Sequence, residues 1–214
     1  MALRDGPRSH RRGRRPDTTG TFTKVRALLA GALVLGIGGS MTLAAWTDTE
    51  TAQGTFAASK FGIQGSTDAT AFADHPASAP AALSFAISPT AMSPGTTTFA
   101  RFVVRTTTDT TVPGSVALGG ATVAGTGLGA YLRYGVRTIP AGSQCTSTTY
   151  AAGTVVVASD SALSTASGTT QPLAAAGGSP VTYCFAVTLP DGTPNAAQGL
   201  TATATWTFTG TSSS

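Results

Sequence analysis

Histidine and cysteine are scarce in this chain, with two of each in 214 residues. That is too few for a Cys/His zinc site of the usual spacing. Charge is scarce too: 10% of residues are charged, against roughly a quarter in an average soluble domain. Glu50 is the sole glutamate and no His-Glu-x-x-His occurs, which removes a zincin-type centre. A Ser-His-Asp triad would have to use His75, and no Gly-x-Ser-x-Gly elbow presents a serine to it. The acids beyond residue 45 are scattered, and nothing singles out a pair for glycoside hydrolysis. Asn195 is the sole asparagine and lacks a glycosylation sequon. High charge, the usual mark of disorder, is missing as well. These absences leave no expected catalytic residue, metal ligand or cofactor.

What charge there is sits unevenly. Arg4, Arg8, Arg11, Arg12, Arg14, Arg15, Lys24 and Arg26 face only Asp5 and Asp17 within the first 26 residues, a leader charge of +6. The remainder sets five basic residues against seven acidic ones, which makes −2. The run Arg11-Arg12-Gly13-Arg14-Arg15 could neutralise phosphates, but it has no interleaved aromatic residue and an apolar segment follows it. Nucleic acid is therefore not an expected partner. Residues 27–45 carry no charge, their centre at 27–37 is apolar, and Gly36, Gly38 and Gly39 then weaken the helix. Small residues follow, ending in Ala44-Ala45. Basic, apolar, then small is the order of an export signal. The expected organisation is a signal peptide at 1–45 (basic 1–26, apolar 27–45) and a secreted domain at 46–214. Retention as an anchor is the alternative, since 27–46 is just long enough to span a bilayer core. The membrane is met only through this segment.

Beyond residue 45 about a fifth of the chain is threonine, a β-branched residue suited to a pleated, half-exposed surface. Leu200, Ala202, Ala204, Trp206 and Phe208 alternate with five threonines, so 200–209 reads as a strand with an apolar face inward and a hydroxyl face outward. Val181, Tyr183, Phe185, Val187 and Leu189 form the inward face of a second, ended by Pro190-Asp191-Gly192. Further strands are expected at 55–63, 83–88, 97–105, 115–118, 131–138 and 154–158, with loops at 68–82 and 159–180. A weak helical turn at 161–167 is the only departure from β pattern. Short strands with Gly and Pro punctuation predict an all-β antiparallel sandwich.

Cys145 and Cys184 both follow the leader, and a pair of cysteines in an exported chain reads as a disulfide. It would close a loop of about 39 residues, worth roughly 4 kcal/mol by the chain-entropy model.

The junction Leu43-Ala44-Ala45-Trp46-Thr47-Asp48, followed by Gly54-Thr55-Phe56-Ala57-Ala58 and Phe61-Gly62-Ile63, resembles the start of the TasA/camelysin-like exported proteins. Val187-Thr188-Leu189-Pro190-Asp191, Asn195 and the run from Gln198 to Thr209 are similar to that family's closing hairpin, with Ala197 where an aromatic residue often stands. The middle, 65–178, matches only in strand pattern. The resemblance implies cleavage between Ala45 and Trp46 by a dedicated signal peptidase of the endoplasmic-reticulum type. It also implies a jelly-roll-like sandwich that works outside the cell in a biofilm matrix. There the freed segment carrying Trp46, Thr55, Phe56, Ala57 and Ala58 would pair with the sheet of the next subunit, in fibres of self-assembled or mixed matrix proteins. The bland alternative is that 55–63 pairs within its own sandwich.

Two other classes stay open. Tyr131, Tyr134, Tyr150 and Trp206 offer stacking surface for a carbohydrate-binding or adhesin module, although such residues are more often core. Camelysin-like relatives have been classed as metallopeptidases, but this chain lacks the ligands for it. N-terminal sequencing of protein recovered from culture medium is expected to begin at Trp46; an intact leader on soluble cytosolic protein would overturn the export reading.

Overall fold

The computed structural model describes residues 19–38, 46–85 and 92–213. The chain divides into two units, Met1–Thr55 and Phe56–Ser214. In the first, α1 (Thr19–Gly38) draws on the good helix formers Ala and Leu and ends among the glycines that follow Leu35. Phe22, Leu28, Leu29 and Leu33 are each about two-thirds exposed or more. Among the described residues no helix is long and apolar enough to cross a membrane. Residues 46–55 have no regular structure.

The second unit is an all-β antiparallel sandwich. Its strands are β1 (Ile63–Ser66), β2 (Thr97–Thr106), β3 (Gly114–Leu118), β4 (Thr122–Gly125), β5 (Arg133–Ile139), β6 (Thr154–Ala162), β7 (Gln171–Leu173), β8 (Val181–Thr188), β9 (Ala202–Thr205) and β10 (Phe208–Ser212). One sheet has the order β1-β2-β8-β5-β6; a second has β10-β3-β7, and β4 pairs with β9. The pairings β4–β9 and β3–β10 belong to one long pair of strands. From Thr205↔Thr122 to Phe208↔Leu118 one strand advances three residues and the other four, which is a one-residue bulge. Gly119 N–H bonds to Thr207 O at 2.8 Å beside it.

That bulge explains how the alternating run at 200–209 is realised as two strands. Ala202, Ala204, Trp206 and Phe208 still pack against the core, as the alternation predicts. Trp206 lies 5.6 Å from Tyr134 and 5.0 Å from Phe185, and Phe208 lies 5.2 Å from Phe102 and 5.0 Å from Tyr183. Such ring pairs add about 0.5–1.5 kcal/mol each beyond the area they bury. The predicted inward face of β8 holds fully: Tyr183, Phe185, Val187 and Leu189 are buried and Val181 packs on them.

Several expected elements are corrected. The strand expected at 55–63 begins only at Ile63, because the backbone groups of Lys60 and Gly62 bond to the turn at 107–111 instead of a ladder. Of the strand expected at 83–88, Phe85 makes an isolated bridge to Ala100, and 86–91 lie outside the described residues. β5 starts at Arg133, since Tyr131 caps a 3-10 turn at Leu128–Ala130. The helical turn expected at 161–167 is the end of β6 and a reverse turn, while the short helix is α2 (Ser147–Ala152). Thr146 and Thr149 cap α2 reciprocally, an arrangement that satisfies two otherwise orphaned N–H groups. β4 and β7 were hidden by flanking glycines and by Pro172, which an edge strand tolerates.

The segment carrying α2 crosses the outer face of the five-stranded sheet. Cys145 is bonded to Cys184 there, and Ile139, Phe99 and Tyr150 pack around the bridge. Gly135 on β5 makes room for this segment: a Cβ would lie 2.2 Å from Tyr150 Oη and 2.9 Å from Ser159 Cα. With 39 residues separating the two cysteines, replacing both by Ala is expected to cost about 4 kcal/mol of unfolding free energy. Urea denaturation of the oxidised protein and the double variant measures this, and a loss below about 1 kcal/mol contradicts it.

Candidate assembly segment and apolar cleft

Every residue from 46 to 60 is exposed and none lies in a strand. Trp46 is 97% and Phe56 94% exposed. Thr55, Ala57 and Ala58 are exposed with them, while Ala44 and Ala45 lie outside the described residues. The run is too short of apolar side chains to bury one face: between Glu50 and Lys60 only Phe56 is large and apolar. The segment's two aromatic residues thus stand on backbone outside any strand, and the strand expected from 55 onward does not form before Ile63.

The segment is clipped where it enters the sandwich. Lys60 N–H donates to Thr111 Oγ1 and Thr111 N–H to Lys60 O, both at 2.9 Å. Thr107 N–H donates to Gly62 O at 2.9 Å. The Lys60 ammonium also pairs with the Asp109 carboxylate. That ammonium first, then the Thr107 hydroxyl, lowers the Asp109 pKa to about 2. Asp68, just past β1, is held far below the usual carboxylate range by the N–H groups of Thr70 and Ala71 and the Ser66 hydroxyl. Both acids are turn-builders.

The aromatic residues proposed for stacking are mostly structural. Tyr134 is buried, donates its hydroxyl to Thr165 O, and burial raises its pKa while the Trp206 indole opposes the rise. Trp206 lies against Phe185 within the core cluster. Tyr131 is packed on the same cluster, and Tyr150 bonds to Ser159 Oγ at 2.8 Å beneath the Arg137 guanidinium. Burial pushes the Tyr183 phenol far above its ordinary value. His75 is exposed in the 68–82 loop, its ring 6.4 Å from Phe102. Among the described residues no three His, Cys, Asp or Glu side chains are grouped to hold a metal ion.

One feature has no counterpart in the sequence pattern. A cleft of about 660 Å³ opens within the second unit, walled by Leu128, Leu132, Leu163, Val187, Leu189 and Trp206. The exposed Asn195 and Gln198 also border it. Its walls come from turns as much as from strands: Leu128 belongs to a 3-10 turn and Leu163 follows β6. No periodicity marks such residues as neighbours.

No protein-family model matches the chain, and no curated protein matches it.

The Lys60–Asp109 clip makes a pH prediction. A carboxyl group with a lowered folded-state pKa contributes stability above its unfolded value, near 3.9, and that contribution is lost as pH falls through the folded value. The clip is therefore expected to loosen between about pH 4 and pH 2, the lower limit being the Asp109 value. The ¹³C carboxyl shift of Asp109 should titrate near the lower limit, and in Lys60→Met at a higher pH, still short of the ordinary carboxylate value because the Thr107 hydroxyl remains. Unchanged titration in that variant contradicts the assignment of the clip.

Proposed function

We propose that the protein is an exported, non-catalytic structural component of an extracellular matrix or cell surface, joining its copies by strand donation. The observation that carries this reading is the exposed segment 46–60, with Trp46 and Phe56 as its anchors. The exposed backbone of this segment can exchange its hydrogen bonds to water for those of a sheet edge, and an unpaired edge is a template for it. Edges are on offer in the sandwich. β6, nine residues long, closes one side of the five-stranded sheet, and β1, four residues long, closes the other. The disulfide supports export, since such bridges persist in oxidising compartments. The resemblance to the TasA/camelysin-like proteins supplies the fibre-forming version of the reading, with a signal peptidase as the partner in maturation.

Of the four aromatic residues behind the carbohydrate-binding reading, Tyr134 is buried and Tyr131, Tyr150 and Trp206 are half-buried, so the exposed segment favours assembly over it. A peptidase reading draws no support from the positions of His75 and Glu50, each exposed.

Phe56 is 94% exposed, so Phe56→Asp is expected to shift stability by no more than about 0.5 kcal/mol. Assembly of the cleaved protein should nevertheless fall at least about tenfold, for which a loss of about 1.4 kcal/mol per contact suffices. Light scattering and electron microscopy of cleaved wild-type and variant protein test this. A wild-type protein that stays monomeric at high concentration, or a variant that assembles equally well, refutes strand donation.

A further inference from the structure

The long strand pair formed by β9–β10 and β4–β3 has an open side. Gly119 N–H donates to Thr207 O, Ser213 N–H to Pro113 O and Thr126 N–H to Thr201 O. Odd-numbered residues from Thr201 to Ser213 thus turn their backbone groups toward β3 and β4, and the even-numbered ones turn theirs away. β9 and β10 each end the order of their sheet, and among the described residues no backbone partner meets Ala202, Ala204, Trp206 or Phe208 on that side. The other edges are blunted. Ala73 bridges Gly65 on the outer side of β1. The register of β6 against β5 shifts twice, with Asp160 at φ 65°, and β7 is three residues long with Pro172 in it.

The core is also thin beside that edge. Ala202, Ala204 and Trp206 line the cleft of about 660 Å³, and Thr98 and Val187 of the five-stranded sheet line it from the other side. Val123, opposite Ala204 in register and so on the same inner face, stays 42% exposed, and both alanines are half-buried. The row that Trp206 and Phe208 fill with rings is filled here by methyl groups. In the exposed segment, Ala52, Gly54, Phe56 and Ala58 alternate with Gln53, Thr55, Ala57 and Ser59. As an added strand it turns one large ring flanked by small residues toward the cleft, and mainly polar residues outward beside Thr201, Thr203 and Thr205. Trp46 has the same parity, but Asp48 and Glu50 share its face and would enter an apolar cleft unpaired.

Chain length selects the copy. Gly62 O accepts from Thr107 N–H just past the end of β2, whereas the cleft reaches Thr98 near its start. The nine residue steps from Thr98 to Thr107 cover about 30 Å. The six steps from Gly62 back to Phe56 span at most about 22 Å. Phe56 therefore falls short of that end of its own cleft, and a second copy of the chain is free of this tether. We infer that the cleft beside β9 is the acceptor for residues 52–58 of a second copy, with Phe56 packed beside Ala202 and Ala204. The inference rests on the strand-donation reading and names the surface that receives the strand.

Assembly of the cleaved protein, followed by light scattering, tests this. Ala204→Leu fills the cleft beside β9 and is expected to weaken assembly at least about tenfold. Val155→Lys, on the β6 edge, is expected to leave it within about twofold. Assembly that survives Ala204→Leu, or that is lost with Val155→Lys instead, overturns this acceptor and leaves strand donation standing. A wild-type protein that stays monomeric overturns both. If Ala204→Leu does not fold, a cysteine trap decides, because side chains directly opposite on paired strands stand about 4.5–5.5 Å apart, close enough to bridge. Protein carrying Ala202→Cys, mixed with protein carrying Gly54→Cys or Ala58→Cys, is expected to form a disulfide-linked dimer with one of the two, and Phe56→Ser in the donor should cut its yield at least about tenfold. No such dimer from protein that assembles, or a dimer formed only with Val155→Cys, overturns the inference.

Discussion

The contact of Trp206 and Phe208 with Phe185, Tyr183 and Tyr134 holds the sandwich together. It joins the strand pair β9–β10 to the centre of the five-stranded sheet, and everything else depends on its register. A slip of one residue would turn the threonines inward and the rings outward. The bulge opposite Trp206 and Thr207 keeps both strands paired without such a slip. The four-residue β1, the three-residue β7 and the exposed β4 add little core of their own and are ordered by that centre.

The two faces of the five-stranded sheet divide the work. Its inner face is aromatic and aliphatic, and charge is confined to the outer face. There Arg101 and Arg137 grip the segment 140–153 through carbonyl oxygens, and the bond between Cys145 and Cys184 fastens it. Low overall charge makes this arrangement legible, because in a chain with five basic residues after the leader the placement of four on one face concentrates nearly all the positive field. The segment 46–60, in contrast, has neither burial nor a ladder, and the clip at Lys60 marks where the sandwich takes hold of the chain.

Local pattern carried different parts of this account to different depths. β2, β3 and β8 were readable to within about two residues, since side chains alternate faces in any extended strand whatever its partner. The Cys145–Cys184 bridge was readable because no other pairing exists. The start of β1 was misread because Lys60 and Gly62 spend their backbone groups on a turn 50 residues away. α2 was missed because its six residues show no period and its capping pair, Thr146 and Thr149, lies in a run of Ser and Thr that also suits a loop. The cleft was invisible, because Leu128, Leu163 and Leu189 come together only when distant turns meet.

By itself the sequence determined the β class, the inward sets of β8 and of the run through Trp206, the disulfide pair and the basic-then-apolar order of the first 45 residues. Each rests on chemistry local to a few residues or on a count with one solution. Only the tertiary structure decided the strand order, the bulge, the cleft and the placement of four arginines on one face of one sheet. These depend on which strands become neighbours and in what register, and that is settled by the cooperative burial of side chains far apart in the chain.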